Sequence, residues 1–392
     1  MEYTIPNYYK DFKCIADKCP ATCCAGWEIV IDSRTRQAYR NYPGEFGRCL
    51  RSSIDWKQGI FKQHRTRCAF LNERNLCDIY AEAGREMLCR TCRRYPRHYE
   101  EFENLREISL SVSCPEAAGM LLAMLEPVSF QTFSQEKEEE TYEEFDFLLF
   151  TKLQDARECM FELAQNRSMP LYLRMALILA LAHDLQRRIF RKRLYEVDEL
   201  LERYQNMCRN AGREELAERL LKTLDKTENT AAADSVQRKT MRKGELRHRM
   251  FRVMYRMETL DKRWRSGLKK WDRLMPDSGS MIAAYREQNP DWEVQGEQLL
   301  VYFLFTYFCG AVYDEEALGK AKAAVIHTLL LEDIFAADMA LNGSCYDRKR
   351  QESCLYRYAR EIEHSERNLR RMEEYMNHDK LFSVEHILCV LL

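Results

Sequence analysis

Cysteines concentrated near the beginning of the chain are its strongest chemical signal. The protein has 392 residues and 16 cysteines, and ten of these cysteines lie among the first 114 residues. In a reducing compartment, clustered thiols are more often metal ligands than disulfides. The pattern therefore predicts a metal-binding N-terminal region. Leaving Cys49 aside, the candidate ligands are Cys14, Cys19, Cys23, Cys24, Cys68, Cys77, Cys89, Cys92 and Cys114.

The spacing of these cysteines favours ligation by sulfur alone. Cys89 and Cys92 form a C-x2-C pair in LCRTCRRYPR, which places two sulfurs on one tight turn. The adjacent Cys23 and Cys24 suit two sites, or one ligand and one supporting residue. Thiolates select zinc, Cu(I) or iron–sulfur clusters, and no histidine stands at a zinc-type spacing here. We therefore favour a [4Fe–4S] cluster, which needs four thiolates, with zinc as the alternative.

Arginines and a few acids or tyrosines surround these thiols. Arg93 and Arg97 are candidates for binding the carboxylate of a cofactor, or else they belong to a solvated helix face with salt bridges. No residue is assigned as the catalytic base. The groups closest in sequence to the cysteines that could serve are Asp32, Asp78, Tyr80 and Tyr95.

The elements that must position these residues change in character near residue 120. Before it lie cysteines, prolines and two short β-branched pieces, WEIVID and REISLSV, that favour strands. After it, apolar residues recur at helical spacing almost continuously. We predict a mainly α protein, with a cysteine-rich metal-binding region and a few short strands followed by a helical bundle. The predicted divisions are residues 1–120 (cysteine-rich), 121–225 (helical), 226–243 (linker or exposed loop) and 244–392 (C-terminal helical).

Composition and hydropathy exclude several classes of protein. The 61 basic residues balance 62 acidic ones, which argues against a protein that coats nucleic acid or a membrane surface. The longest uncharged run, Leu299 to Tyr313, is too short for a membrane span, and the first residues do not resemble a secretory signal. We therefore expect a cytoplasmic protein with no nucleic-acid or membrane partner.

Several motifs together resemble one family. They are C-x4-C-x3-CC followed by GW, then CAFLNERNLCDIY, LCRTCRRYPR and SVSCPEAA, with YAREIEHSERN at residues 358–368. This combination resembles the flagellin lysine-N-methylase (FliB) family, whose cysteine-rich half is similar to YkgJ-type CxxxCC proteins. The last segment makes His364 a minor site candidate.

The resemblance implies an enzyme that transfers methyl groups from S-adenosylmethionine to the ε-amines of flagellin lysines. It also implies a [4Fe–4S] cluster held by cysteines of the nine, without saying which four. The chain has 14 glycines, none separated by a single residue, so the glycine-rich turn of a Rossmann-type methyltransferase is absent. Two alternatives are an iron–sulfur redox or electron-transfer protein and a zinc-stabilised binding protein.

Overall fold

Helices dominate the computed structural model, which describes residues 1–136, 142, 144–210, 212, 215, 216, 218, 220 and 236–392. The helices are α1 Ser33–Asn41, α2 Gly44–Ser52, α3 Asp78–Ala83, α4 Arg90–Arg94, α5 Pro115–Ala123, α6 Phe147–Ala164, α7 Leu171–Phe190, α8 Val197–Asn210, α9 Val236–Phe251, α10 Lys262–Asp272, α11 Ser278–Gln288, α12 Trp292–Tyr307, α13 Ala317–Asn342, α14 Arg348–Glu363, α15 Glu366–His378 and α16 Val384–Leu391. The strands are β1 Glu2–Pro6, β2 Ile54–Asp55, β3 Ile60–Phe61, β4 Gln63–His64, β5 Arg67–Cys68, β6 Arg97–Phe102, β7 Leu105–Leu110 and β8 Phe130–Ser134.

A four-stranded mixed sheet gathers strands that are far apart in sequence. Its order is β6-β7-β1-β8, with β1 parallel to β7 and antiparallel to β8. Glu2 of β1 stands opposite Leu105 of β7, which fixes the parallel register. One face of the sheet packs on helices, since the ring of Phe102 lies 4.7 Å from that of Phe150 in α6. The sheet is thus attached to the helical body.

The chain between these strands, residues 13–95, forms a small lobe that we call the cysteine lobe. Its helix α1 begins where the Asp32 carboxylate accepts the Thr35 N–H at 3.0 Å, an N-cap that satisfies a free amide of the first turn. The ribbons β2–β3 and β4–β5 lie beside α1 and α2. The lobe has its own apolar core, separate from that of the helical body, which includes Ile29, Tyr39, Leu50, Phe61 and Phe70.

Helix α13 is the axis of the helical body. It is apolar on nearly every side, and its residues are buried along almost its whole length, as such a helix requires. Helices α7, α11, α12 and α15 pack directly against it. Among the residues described, none of the helices is long and apolar enough to cross a membrane.

The predicted fold class is confirmed, and the two predicted strands have different outcomes. REISLSV forms β7 as expected. The strand predicted for WEIVID is wrong: Val30 makes only an isolated bridge to Ile60, and Asp32 at once caps α1. The alternating burial of Ile29 and Ile31 comes from the lobe core rather than from a ladder of paired strands.

The predicted domain boundaries remain predictions. Position 120 falls inside α5, where Ala117, Leu121 and Leu122 pack in the core of the helical body. Of the predicted linker, residues 226–235 lie outside the described residues, and residues 236–243 belong to α9.

Candidate functional site

The nine candidate cysteines divide between two neighbourhoods. Five of them pack together in the core of the cysteine lobe. We call these five the inner thiol group: Cys24, Cys68, Cys77, Cys89 and Cys92. The other four lie where the lobe meets the helical body, and we call them the outer thiol group: Cys14, Cys19, Cys23 and Cys114.

Electrostatic interactions occur within each group, and Cys23 also acts on Cys24 and Cys92 of the inner group. Burial raises the pKa of Cys19, and the neighbouring Cys14 raises it further. Burial also raises the pKa of Cys114, to about 11, and the thiols of Cys19 and Cys14 contribute in the same direction. In the inner group, burial followed by the thiols of Cys24, Cys77 and Cys89 has the same effect on Cys68. The thiols of each group are therefore close enough to repel one another as thiolates.

The adjacent Cys23 and Cys24 connect the two groups. A hydrogen bond between their side chains lowers the pKa of Cys24 to about 7 and raises that of Cys23. The thiolate is the form that binds metals, so this bond favours Cys24 as a ligand in the inner group. The two interpretations of the Cys-Cys pair, two separate sites or one ligand with a supporting residue, both remain predictions.

The C-x2-C turn is fixed to the rest of the lobe by Asp32. Its carboxylate accepts the N–H of Arg90, at the start of α4, at 2.8 Å, while also capping α1. The hydrogen bond from Cys92 lowers the pKa of Cys89, as in the Cys23–Cys24 pair. Both sulfurs thus lie on a short turn that α1 and α4 hold in place.

The type and number of donors fit a soft metal or an iron–sulfur cluster. Four thiols in the outer group equal the number that a [4Fe–4S] cube takes from a protein. The placement of the side chains does not close a site, however. In the part of the chain that the structure describes, no three His, Cys, Asp or Glu side chains are arranged to hold a metal ion.

Arg360 of α14 fastens the outer thiol group to the helical body. Its Nε donates to the carbonyl of Ser113 at 2.9 Å, and its Nη2 donates to that of Ala21 at 2.7 Å. Ser113 immediately precedes Cys114, and Ala21 lies two residues before Cys23. One guanidinium therefore holds together two chain segments that carry outer-group thiols.

A hydrogen-bonded network of side chains lies beside Arg360. The hydroxyls of Ser111 and Ser113 are hydrogen-bonded, with 2.6 Å between their oxygens. The Ser111 hydroxyl donates a second hydrogen bond to the carboxylate of Glu363. On the other side, Ser113 bonds His364 Nε2 at 3.0 Å and the Tyr95 hydroxyl at 3.1 Å. We call these five residues the serine relay. It connects the phenol of Tyr95, in the cysteine lobe, to the imidazole of His364 and the carboxylate of Glu363, in the helical body.

Burial determines the protonation states in the serine relay. It lowers the pKa of His364 to about 3, with the positive charge of Arg360 acting in the same direction, so the ring is neutral near pH 7. Burial raises the pKa of Glu363 despite hydroxyl donors that include Tyr302, whose O–H bonds the carboxylate at 3.0 Å. A carboxylate with a raised pKa accepts a proton more readily than an ordinary one.

Three rings close over the cysteine-lobe end of the serine relay. The indole of Trp27 lies 4.6 Å from the imidazole of His364 and 5.9 Å from the ring of Tyr95, measured between ring centroids. Thiolates of Cys114 and Cys23 act electrostatically on Tyr95, which places this ring near the outer thiol group.

The other residues considered in the sequence lie apart from the serine relay. Arg93 is 4.0 Å from Glu86, and Arg97 donates to the Tyr9 hydroxyl at 2.9 Å. Their role in binding a cofactor stays a prediction. Asp78 accepts a hydrogen bond from Asn72, and Tyr80 is exposed. Asp32 is occupied in capping, so Tyr95 is the one member of that set within the relay.

Sequence reasoning missed Ser111, Ser113, Glu363 and Arg360. The serines lie in SVSCPEAA, a motif of the family resemblance in which only Cys114 was a candidate. Glu363 and Arg360 lie inside YAREIEHSERN, so the resemblance of that segment to a known family was the available signal.

A comparison with protein families identifies the C-terminal part of the chain. A family model described as the FliB lysine N-methylase C-terminal domain matches residues 157–390, more than half of the chain. The chain belongs to the FliB lysine N-methylase family. Neither the curated proteins nor the solved structures gave a match to it.

The FliB match indicates a lysine methyltransferase and covers only one side of the site. Arg360, Glu363 and His364 lie within the matched FliB domain, whereas the candidate cysteines and the two serines of the relay precede it. The contacts described above therefore join the FliB domain to the cysteine lobe.

Proposed function

We propose that this protein transfers methyl groups from S-adenosylmethionine to the ε-amines of flagellin lysines in the cytoplasm, and that it depends on a [4Fe–4S] cluster. The observation that carries the proposal is the junction made by Arg360 and His364. These two residues of the FliB domain bond directly to Ser113, next to the thiol of Cys114.

The outer thiol group is the better candidate for the cluster. It lies against the FliB domain, whereas the inner group is enclosed in the core of the lobe, as expected of a structural site. Cys14 is exposed, and the other outer thiols are partly or fully buried. When bound, a cube held by the outer thiols would supply iron for binding the amino and carboxylate groups of S-adenosylmethionine.

The serine relay supplies what methylation of an amine requires. The free ε-amine has a pKa of about 10.4, so it must lose a proton before its nitrogen can attack a methyl group. His364, with its low pKa, is a poor final acceptor of that proton. Because the Ser113 hydroxyl donates to Ser111, the neutral His364 ring orients it by donating its Nε2–H to the Ser113 oxygen. Glu363, with its raised pKa, is the better acceptor at the far end of the relay.

The proposal is tested by incubating anaerobically purified protein with S-adenosylmethionine and flagellin. We expect brown protein containing iron and acid-labile sulfide, and methyl-group mass increments on flagellin lysine peptides. If the protein is colourless, contains zinc and still methylates flagellin, the proposed cluster is wrong and the proposed methyltransferase activity is correct. Unmodified flagellin, with cluster and cofactor both present, would contradict the proposed activity.

The exposed Cys49 provides a matched control. It lies in α2 and belongs to neither thiol group. Cys49→Ser should keep the iron content and the methylation of the unaltered protein, whereas serine at an outer-group position should lose both.

A further inference from the structure

A basic groove opens on the helical body at the end of α9. It is a cavity of about 450 Å³, and three arginines line it: Arg249, Arg252 and Arg256. The other lining residues are Val253, Tyr255, Asp379 and Leu381. We call these seven residues the basic groove.

The three arginines are exposed because of the pattern of apolar residues around them. Met250, Phe251 and Val253 point into the core of the body, which leaves the intervening positions at helical spacing on the outside. Within the described residues, none of the three arginines forms an ion pair with a carboxylate. The guanidinium of Arg256 lies over the ring of Tyr375, at 5.9 Å from its centroid.

Little negative charge offsets these arginines inside the groove. Asp379 is the single acid among the lining residues, and its carboxylate already accepts the N–H of Leu381 at 2.9 Å. The half-buried Tyr255 and Leu381 add apolar surface to the groove. The groove therefore suits a chain that carries carboxylates and apolar side chains together.

The groove is joined to the segment that carries the serine relay. Just beyond Arg256, the N–H of Glu258 bonds the side chain of Asn368 at 2.7 Å, and that amide donates back to the Glu258 carbonyl. Asn368 lies four residues after His364. Asp379 directly follows α15, whose 13 residues extend about 20 Å, so the groove and the relay lie toward opposite ends of this helix.

We propose that the basic groove binds an acidic, partly apolar segment of the protein substrate, separated along the chain from the lysine that is methylated. The inference rests on the proposed methyltransferase function. Arginine pairs with carboxylates through two parallel hydrogen bonds, and the polypeptide that supplies the lysine is the partner closest at hand. Nucleic acid is the competing occupant, but a run of stacking rings, which single strands favour, is missing from the seven lining residues.

The test compares two charge reversals of equal size. The first is Arg249→Glu with Arg252→Glu, in the groove. The second is Arg187→Glu with Arg191→Glu, two exposed arginines near the end of α7. We expect the groove variant to raise the KM for intact flagellin about tenfold or more with little change in kcat. The KM of this variant should also no longer depend on salt concentration. The α7 variant should have the same KM for intact flagellin as the unaltered protein. The groove variant should have an unchanged KM for a short lysine peptide.

A binding assay separates failure of the groove from failure of the enzyme. A labelled eight-residue peptide of alternating glutamate and leucine should bind the unaltered protein and not the groove variant, whether or not methylation occurs. An unchanged KM in the groove variant would overturn the proposal while leaving the enzyme intact. Stronger groove-dependent binding of a labelled oligonucleotide than of the peptide would also overturn it.

Discussion

His327 is a buried histidine in the middle of α13 whose protonation the fold opposes. Its Nδ1 lies 2.5 Å from the Tyr358 hydroxyl, and its ring stacks on Phe303 at 4.9 Å. Burial lowers the pKa of His327 to about 4, against about 6.5 in the unfolded chain. Below pH 6.5 the unfolded state therefore binds a proton that the folded state refuses, and stability is lost as the pH falls toward 4.

This difference predicts the pH dependence of His327→Gln. Between pH 7.5 and pH 5, the unaltered protein should lose about 2 kcal/mol more of unfolding free energy than the variant. Urea denaturation at the two pH values measures this. His183→Gln, at an exposed histidine of α7, should match the unaltered protein. If the unfolding free energies of His327→Gln and the unaltered protein depend equally on pH, His327 does not have a lowered pKa in the folded state.

Arg360 is expected to matter through its geometry rather than its charge. Lysine keeps the charge but lacks the planar fork that reaches both Ser113 and Ala21. Arg360→Lys should therefore lower the iron content per chain at least twofold, and Arg360→Ala should lower it further. Arg357→Ala, one turn earlier on α14, is the control and should retain its iron. Full iron content in Arg360→Lys would show that the two hydrogen bonds of the guanidinium are not needed for binding iron.

Among the structural elements, α7 and α12 are joined by a buried ion pair. Arg174 of α7 bonds Glu297 of α12 at 2.9 Å, with side chains 1 % and 0 % exposed. Removing one partner of such a pair leaves a buried charge, which costs about 3–5 kcal/mol. Arg167 remains paired with Glu297 in Arg174→Met, so this variant should lower the unfolding free energy by only part of that amount, about 2 kcal/mol in urea denaturation.

The double variant tests the reason for that loss. Arg174→Met with Glu297→Leu removes both charges and should recover most of the stability. Arg167 also pairs with Glu297, but its side chain is 37 % exposed, so water can solvate it in the double variant. A double variant that is less stable than Arg174→Met would show that packing, rather than unpaired charge, causes the loss.

How far an element could be predicted depended on whether its signal is local. The apolar spacing of LYLRMALILALAHDLQRRIF predicted a helix, and α7 spans that segment. The strand β1 had no comparable signal, because its partners β7 and β8 lie about a hundred residues further along the chain. WEIVID showed the alternation of a strand, but the lobe core rather than strand pairing produces it.

The same distinction applies to the site. The concentration of thiols is a local signal, and it located the cysteine-rich side. The division into two thiol groups depends on how the lobe folds, which spacing alone does not determine. Ser111 and Ser113 acquire their position only when α14 packs beside them, so the motif SVSCPEAA contained them without indicating a role for either hydroxyl.

At the scale of the whole molecule, Cys23 and Cys24 allow a test of the two thiol groups with adjacent residues. Cys23→Ser should lose iron and methylation while the lobe keeps its thermal stability. Cys24→Ser should instead lower the thermal stability of the lobe, because it changes the inner group within the core. Thermal unfolding and iron analysis on the two variants would distinguish these outcomes. Identical behaviour of the two would mean that the thiols form one site.

The central claim of this account is that the cysteine lobe and the FliB domain build one site through the serine relay, with Glu363 as the proton acceptor. The most direct test is the rate of flagellin methylation by Glu363→Gln, compared at equal cluster content with Glu361→Gln. The carboxylate of Glu361 accepts the backbone N–H groups of Leu260 and Asp261 and lies outside the relay. We predict that Glu363→Gln lowers kcat about a hundredfold or more, while Glu361→Gln stays within a few-fold of the unaltered protein. Equal rates in the two variants would contradict the account.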